Sequence, residues 1–233
     1  MSEAIDAGHR PKTAKGAKTT HIITICSPKG GVGKTTLARS LLVAAAQAGI
    51  QSIGLDFDRQ GSLRKWAIRR AATRNAFPDQ FVSAEVIEAD LHDWRGSLRR
   101  IKDFDLAIID TPPSVEEHLP AIQGLCHEAC FVVVPTGYTQ DDLDSVVPWM
   151  QTVNESGARA AFCLNRANRR TSIFARSRAK LIKAGAVCPV EIPLLEDVHA
   201  HADSGLTVLD IAKSRGLEPM EAVWDFVRRE VGL

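Results

Sequence analysis

The segment with the most distinctive chemistry is a glycine-rich run of ten residues, Ser27-Pro28-Lys29-Gly30-Gly31-Val32-Gly33-Lys34-Thr35-Thr36. Its glycines allow successive backbone N–H groups to converge on an anion, and a helix that begins just after them would add partial positive charge. Lys34 then fits the β- and γ-phosphates of a nucleoside triphosphate, and the hydroxyl of Thr35 fits Mg²⁺. Pro28 stands where the common phosphate-loop pattern has its first glycine. The alternative is a turn that only joins a strand to a helix, but Lys-Thr-Thr at this offset favours phosphate binding.

Two apolar runs end in carboxylates. The run 105–110 finishes at Asp110, where a carboxylate can hold Mg²⁺ through water, although an aspartate in this place can also cap the next helix. The run 51–57 contains Asp56 and is followed by Asp58, so both carboxylates lie at the same edge of the sheet as the glycine-rich run. The alternative is that they are solvated residues of a turn.

A third run, 159–164, leads into Asn165-Arg166-Ala167-Asn168. A loop that reads guanine needs a carboxylate to accept both N–H groups on one edge of the base. Asn168 cannot accept in that bidentate manner, so ATP is favoured over GTP.

These side chains must be positioned by strands that alternate with helices. Continuous apolar runs bounded by turn residues predict strands at 21–27, 51–57, 81–87, 105–110, 130–135, 159–164 and 188–192. Helical patterns begin at residues 35 and 62 and recur near 91–101. The alternation predicts one α/β domain with three layers, in which a mostly parallel twisted sheet is flanked by helices, as in P-loop NTPases. Sites then lie at the carboxyl ends of the strands.

The bulk composition limits the remaining possibilities. Residues 1–20 carry four basic residues and few large apolar groups, which predicts a flexible leader, and residues 21–233 would form the domain. No apolar run approaches the roughly 20 residues of a membrane span, so we expect a cytoplasmic protein. The five cysteines are odd in number and mostly lie within apolar runs, which suits reduced, buried thiols.

Positive charge is concentrated in two stretches of a chain whose formal net charge is only +1. Residues 159–185 carry eight basic residues and no acid, and residues 59–74 carry six. Such clusters are typical of a surface that meets the phosphates of DNA without reading its sequence. The alternative is a set of solvated helix faces paired with acids elsewhere. The candidate DNA-binding residues are Arg169, Arg170, Arg176, Arg178, Lys180 and Lys183.

The run Lys-Gly-Gly-x-Gly-Lys-Thr-Thr resembles the deviant Walker A motif of the ParA/MinD ATPases, and the resemblance extends over about residues 21–232. It implies that Lys29 reaches across a nucleotide-dependent homodimer, that Asp58 positions the attacking water, and that Asp56 supports the phosphate loop and metal. It also implies that Asn165 contacts adenine, in a pocket completed by Arg166 and the stretch that begins at 192–193. Arg59 stands where the family usually has proline.

The resemblance therefore implies a slow ATPase that requires Mg²⁺, associates with the nucleoid and is stimulated by a ParB-like or other adaptor. Catalysis is assigned to Lys29, Lys34 and Asp58, and Mg²⁺ binding to Thr35, Asp58 and Asp110. The nucleotide site comprises Lys29, Gly30, Gly31, Val32, Gly33, Lys34, Thr35, Thr36, Asp56, Asn165, Arg166 and Pro193.

Three other functions remain open at this point. A MinD-like switch on a membrane would need an amphipathic anchor, and the last helical pattern, 218–231, has mixed charge on its polar side, so core packing is favoured. A metabolic or redox enzyme could share the fold, although a bridging iron–sulfur cluster would need a cysteine near Asp110, and none is there. A nucleotide-gated scaffold with negligible turnover is the third.

Overall fold

The computed structural model describes residues 19–113 and 115–233. The predicted leader, residues 1–20, lies outside this part of the chain except for its last two residues. In the described part of the chain, Oγ1 of Thr20 donates a hydrogen bond to the carbonyl oxygen of Ile101 at 3.0 Å.

Six parallel strands form one sheet in the order β3-β2-β4-β1-β5-β6. They are β1 (His21–Ile25), β2 (Ser52–Asp56), β3 (Glu85–Glu88), β4 (Leu106–Asp110), β5 (Phe131–Thr136) and β6 (Ala160–Leu164). The predicted fold class is confirmed.

In the described part of the chain, eight α-helices cover the two faces of the sheet. They are α1 (Lys34–Gln47), α2 (Ser62–Ala76), α3 (Trp94–Arg99), α4 (Leu119–Glu128), α5 (Gln140–Glu155), α6 (Ser172–Ala184), α7 (Asp197–Ala200) and α8 (Leu217–Val231). Because side chains of a strand alternate between faces, the sheet divides the apolar interior into two cores. One core joins β-strand residues such as Ile23 and Ile108 to α1, α2 and α8, and the other joins residues such as Ile109 to α3, α4, α5 and α6.

The predicted seventh strand, 188–192, is wrong. The chain does run beside β6, where the N–H of Cys188 donates to the carbonyl of Phe162 at 2.8 Å and the N–H of Ile192 donates to Leu164 at 2.9 Å. Between them the chain bends at Pro189. Proline has no N–H for a ladder hydrogen bond, so the pairing breaks into separate contacts.

Helix α8 packs against the sheet, as core packing predicts. Val223 and Val227 are buried, and the ring of Phe226 meets that of Phe131 edge-on at 5.8 Å. Among the described residues, no helix is both long and apolar enough to span a lipid bilayer.

Candidate functional site

The phosphate loop connects the end of β1 to the start of α1, at the carboxyl edge of the sheet. Gly31 and Gly33 have φ angles of 74° and 94°, which side chains rarely tolerate. A Cβ on Gly33 would lie only 2.1 Å from Nδ2 of Asn165. Gly33 is therefore required twice, for its backbone conformation and for the close approach of the loop after β6.

Lys34 points into the loop rather than into solvent. Its side chain is 7% exposed, and Nζ donates to the carbonyl oxygens of Ser27 at 3.3 Å and Lys29 at 3.0 Å. Burial lowers the pKa of Lys34, and Asp110 offsets part of this effect. An ammonium held in this way by main-chain oxygens is placed to transfer to phosphate oxygens, which are stronger acceptors.

Lys29 lies at the rim of the same loop and has a different partner. Its Nζ is 2.6 Å from Oδ1 of Asp142, the carboxylate in the first turn of α5. The other oxygen of Asp142 accepts from the N–H of Thr139 at 3.0 Å, and the N–H of Asp142 donates to the hydroxyl oxygen of Thr139 at 3.3 Å, so the two residues form a capping box. Burial alone would raise the pKa of Asp142, but Lys29 and Thr139 hold it below its usual value. Asp142 is not among the residues predicted from the sequence, although the pattern Thr-x-x-Asp after β5 is a recognisable helix start.

Asp110 ends β4 beside the loop, as predicted. It is fully buried, and neither of its carboxylate oxygens has a hydrogen-bond partner among the described residues. Burial raises its pKa to about 7, because the nearby hydroxyl of Thr35 and ammonium of Lys34 compensate only partly.

This donor set fits Mg²⁺. An unsatisfied buried carboxylate next to a hydroxyl offers the oxygen ligands that Mg²⁺ prefers. No group of three or more His, Cys, Asp or Glu side chains in the described chain is arranged to hold a metal. Mg²⁺ that is coordinated mainly by phosphate and water needs only one or two protein oxygens.

Asp56 and Asp58 have separate tasks. The buried carboxylate of Asp56 accepts from the N–H of Asp58 at 3.1 Å and from that of Arg64 at 2.9 Å, so it fixes the turn between β2 and α2. Burial nevertheless raises the pKa of Asp56. Asp58 is half-buried, and its Oδ1 accepts from the N–H of Gln60 at 2.9 Å. Asp58 is also close enough to Lys34 and Asp110 to act on their charges, so it lies near the phosphate loop.

The expected base pocket brings two loops side by side. Ala167 pairs with Pro193 in an isolated parallel bridge, and Arg166 takes a left-handed conformation with φ 55°. Asn165 is buried, and its Nδ2 donates to the carbonyl of Val32 at 2.8 Å. Asn165 therefore stabilises the phosphate loop through this hydrogen bond, which the sequence did not reveal.

The six predicted DNA-binding residues all lie on or beside α6, but they are not equivalent. Arg169 and Arg178 both pair with Glu191, a carboxylate that is only 5% exposed. Lys180 donates to the side-chain oxygen of Gln140 at 3.0 Å. The remaining three, Arg170, Arg176 and Lys183, are exposed.

The second basic stretch, 59–74, is partly internal. Arg70 is 1% exposed and places both terminal nitrogens 2.9 Å from the carboxylate of Asp210, and Trp66 is fully buried. The expectation that this stretch is a polyanion surface is wrong for Arg70, which joins α2 to the segment before α8.

Comparisons with known proteins show that the chain belongs to a family of nucleotide-binding domains. Residues 23–208 match the model of the CobQ/CobB/MinD/ParA nucleotide-binding domain. The maintenance of carboxysome distribution protein A of Gloeobacter kilaueensis is 28% identical over 208 residues, which cover 89% of this chain and 91% of that protein.

Two solved structures share the fold. The septum site-determining protein MinD of Pyrococcus horikoshii, complexed with Mg-ADP, has a TM-score of 0.71 at 19% identity and covers 92% of this chain and 98% of its own. The ATP complex of a Cyanothece McdA variant has a TM-score of 0.72 at 17% identity, and the match covers 94% of this chain and 98% of that chain.

Proposed function

Because the chain belongs to the CobQ/CobB/MinD/ParA family of nucleotide-binding domains, we propose that it is an ATP-hydrolysing positioning switch. In this proposal it pairs with a second copy when ATP is bound, binds duplex DNA without reading sequence, and is released when a ParB-like or other adaptor stimulates hydrolysis. The cargo would be plasmid DNA or a protein cluster. Support comes from two similar proteins that are named for carboxysome distribution and septum-site determination.

The main observation behind the proposal is that two lysines of the same loop differ in burial. Lys34 is almost fully buried within the loop, whereas the side chain of Lys29 is 40% exposed at its rim. A single nucleotide site needs only the inner cation. An outer cation that can leave Asp142 is suited to a nucleotide in a partner subunit, which would couple nucleotide state to association.

The chain's own residues account for the steps of hydrolysis. Lys34 would hold the β- and γ-phosphates, and Asp58 would orient the attacking water. Asp110 and the hydroxyl of Thr35 would hold Mg²⁺, which neutralises phosphate charge when bound. Asn165 keeps Val32 and Gly33 in the conformation that the phosphates require.

Association with DNA, and so with the nucleoid, is proposed for the surface of α6. Arg170, Arg176 and Lys183 are exposed and supply cations for phosphates. Arg169 and Arg178 share the carboxylate of Glu191, which reduces the charge that they offer. We therefore assign the larger part of the DNA affinity to the three exposed residues.

The test of the switch is sedimentation of Lys29→Ala with and without Mg-ATP, with Lys65→Ala as an exposed-lysine control on α2. We expect the Lys29 variant to bind ATP and remain monomeric, whereas the control dimerises like the wild type. A Lys29→Ala protein with the wild-type dimer fraction would contradict the role of Lys29 in a partner's site. Absence of ATP binding by the wild-type protein would end the whole proposal.

The test of DNA binding compares a triple variant with the wild type by gel shift on unrelated duplexes over a series of salt concentrations. Replacing Arg170, Arg176 and Lys183 by alanine should weaken retention strongly and lower the slope of log affinity against log salt concentration by about 0.9 for each lost contact. Unchanged gel shifts would show that DNA binds to another surface.

The alternative of a membrane-positioned ATPase has α8 as its candidate anchor, and the apolar face of α8 is already used in the core.

A further inference from the structure

Arg39 and His199 meet at the hydroxyl of Thr36, and two further arginines lie near this pair. A terminal nitrogen of Arg39, on α1, donates to Oγ1 of Thr36 at 2.9 Å, and Nδ1 of His199, on α7, lies 3.5 Å from the same oxygen. Arg69, on α2, is close enough to act on the charge of Arg39, and Arg166, after β6, acts on that of His199.

The cluster lacks a carboxylate of its own. Within the described residues, none of Arg39, Arg69 and Arg166 forms an ion pair with an acid, and Arg69 instead donates to the carbonyl of Ala202 at 3.1 Å. Arg39 is half-buried, and burial together with Arg69 lowers its pKa to about 10, while Asp110 offsets this in part. A half-buried cation close to other cations destabilises the folded protein through desolvation and charge repulsion. An anion bound at this place would offset both effects.

The position of Thr36 in the loop identifies that anion. Lys34 is placed for the β- and γ-phosphates, and the hydroxyl of Thr35 would hold the metal. Thr36 is the next residue in the first turn of α1, and a Cβ on Gly33 would lie 4.0 Å from the Cβ of Thr36 as well as beside Asn165, so Thr36 lies near the loop after β6. The phosphate nearest to Thr36 is therefore the one that carries the nucleoside.

We propose that Arg39, His199 and Thr36 form a subsite for the α-phosphate of the bound nucleotide, in which Arg39 supplies positive charge, His199 and Thr36 supply hydrogen bonds, and Arg166 adds charge. This inference rests on the nucleotide binding of the proposed function and adds residues outside the glycine-rich motif. Because ATP, ADP and AMP share the α-phosphate, the subsite strengthens binding of all three by the same factor. It therefore favours retention of the nucleotide after hydrolysis.

The experiment measures the affinities of ATP, ADP and AMP by competition against a fluorescent ATP analogue. Arg39→Gln should weaken all three by a similar factor of about ten, which is the worth of one charge-assisted hydrogen bond at a half-exposed site. Arg74→Gln, at the far end of α2, removes an exposed arginine and should leave the three affinities unchanged. His199→Gln should weaken all three by a smaller common factor, about threefold.

Three outcomes would overturn the proposal. The first is unchanged nucleotide affinities in Arg39→Gln. The second is a loss of affinity in this variant that grows from AMP to ATP, which would place Arg39 on the outer phosphates. The third is intact nucleotide binding by this variant together with weakened DNA retention. A wild-type protein that binds no ATP would instead refute the proposed function itself.

Thermal melts separate this role from a structural one. The nucleotide-free Arg39→Gln protein should melt no lower than the wild type, because Arg39 is half-buried beside Arg69 and forms no ion pair among the described residues, while its stabilisation by ADP should shrink. If Arg39→Gln fails to fold, Arg39→Lys keeps the charge without the forked donors. Arg39→Lys should then show a common loss of about threefold for the three nucleotides, and wild-type affinities in it would count against the subsite.

Discussion

The ion pair between Lys29 and Asp142 predicts that Asp142→Asn will strengthen ATP-driven dimerisation. If Lys29 must reach a partner's nucleotide, the 2.6 Å contact with Asp142 has to break each time a dimer forms. Asparagine at 142 removes the charge that holds Lys29 while its amide oxygen can still accept from Thr139 and preserve the start of α5.

The magnitude follows from the exposure of the pair. The two side chains are 40% and 12% exposed, so solvent screens the attraction, and a partly exposed pair contributes about 0.5–1 kcal/mol. A dimer breaks two such pairs, a total of about 1–2 kcal/mol. Removing that cost should lower the dimer dissociation constant roughly 5- to 30-fold.

Sedimentation velocity with Mg-ATP measures this constant. The matched control is Asp141→Asn, which removes an exposed charge from the same turn of α5 and has no contact with Lys29 among the described residues. Combining Asp142→Asn with Lys29→Ala should give no gain over Lys29→Ala alone, since the pair no longer exists. An Asp142→Asn protein that is folded by circular dichroism but dimerises no more tightly than the wild type would refute the reasoning.

Three further predictions concern the phosphate loop and its surroundings. Gly33→Ala should destabilise the protein by about 1–3 kcal/mol and abolish nucleotide binding, because the added Cβ meets Asn165; Gly49→Ala, also at positive φ but with open space around it, should keep binding in the same calorimetric titration. Asp110→Asn should raise the melting temperature of the nucleotide-free protein by several degrees, because it removes the cost of burying this carboxylate, whose pKa burial raises, and it should reduce hydrolysis measured by phosphate release about a hundredfold or more. Burial and two neighbouring arginines lower the pKa of His199, so the unfolded chain binds more protons than the folded one below pH 6.5. Stability is then full above that pH and falls as the pH drops towards the folded pKa. Denaturant midpoints between pH 7.5 and 5.5 should decrease more in the wild type than in His199→Gln, and equal slopes would exclude this role of His199.

Much of the fold could be predicted because its signals are local. Buried parallel strands appear as continuous apolar runs, and five of the six observed strands begin and end within two residues of the predicted bounds. Strand β3 is shorter and later than predicted, Glu85–Glu88 against 81–87, and 188–192 fails as a strand because Pro189 interrupts the pairing.

The sequence by itself determined the phosphate loop, because glycines, lysine and threonine at fixed spacing act through their own backbone and neighbouring side chains. It also placed Asp110 at a strand end. Only the tertiary structure decided which charges meet across large separations: Asp142 with Lys29, Glu191 with two arginines of the α6 region, and Arg39 with His199. Such pairings depend on how helices pack on the sheet. Charge counts along the chain therefore overstated the free positive surface and did not reveal the cationic cluster beside Thr36.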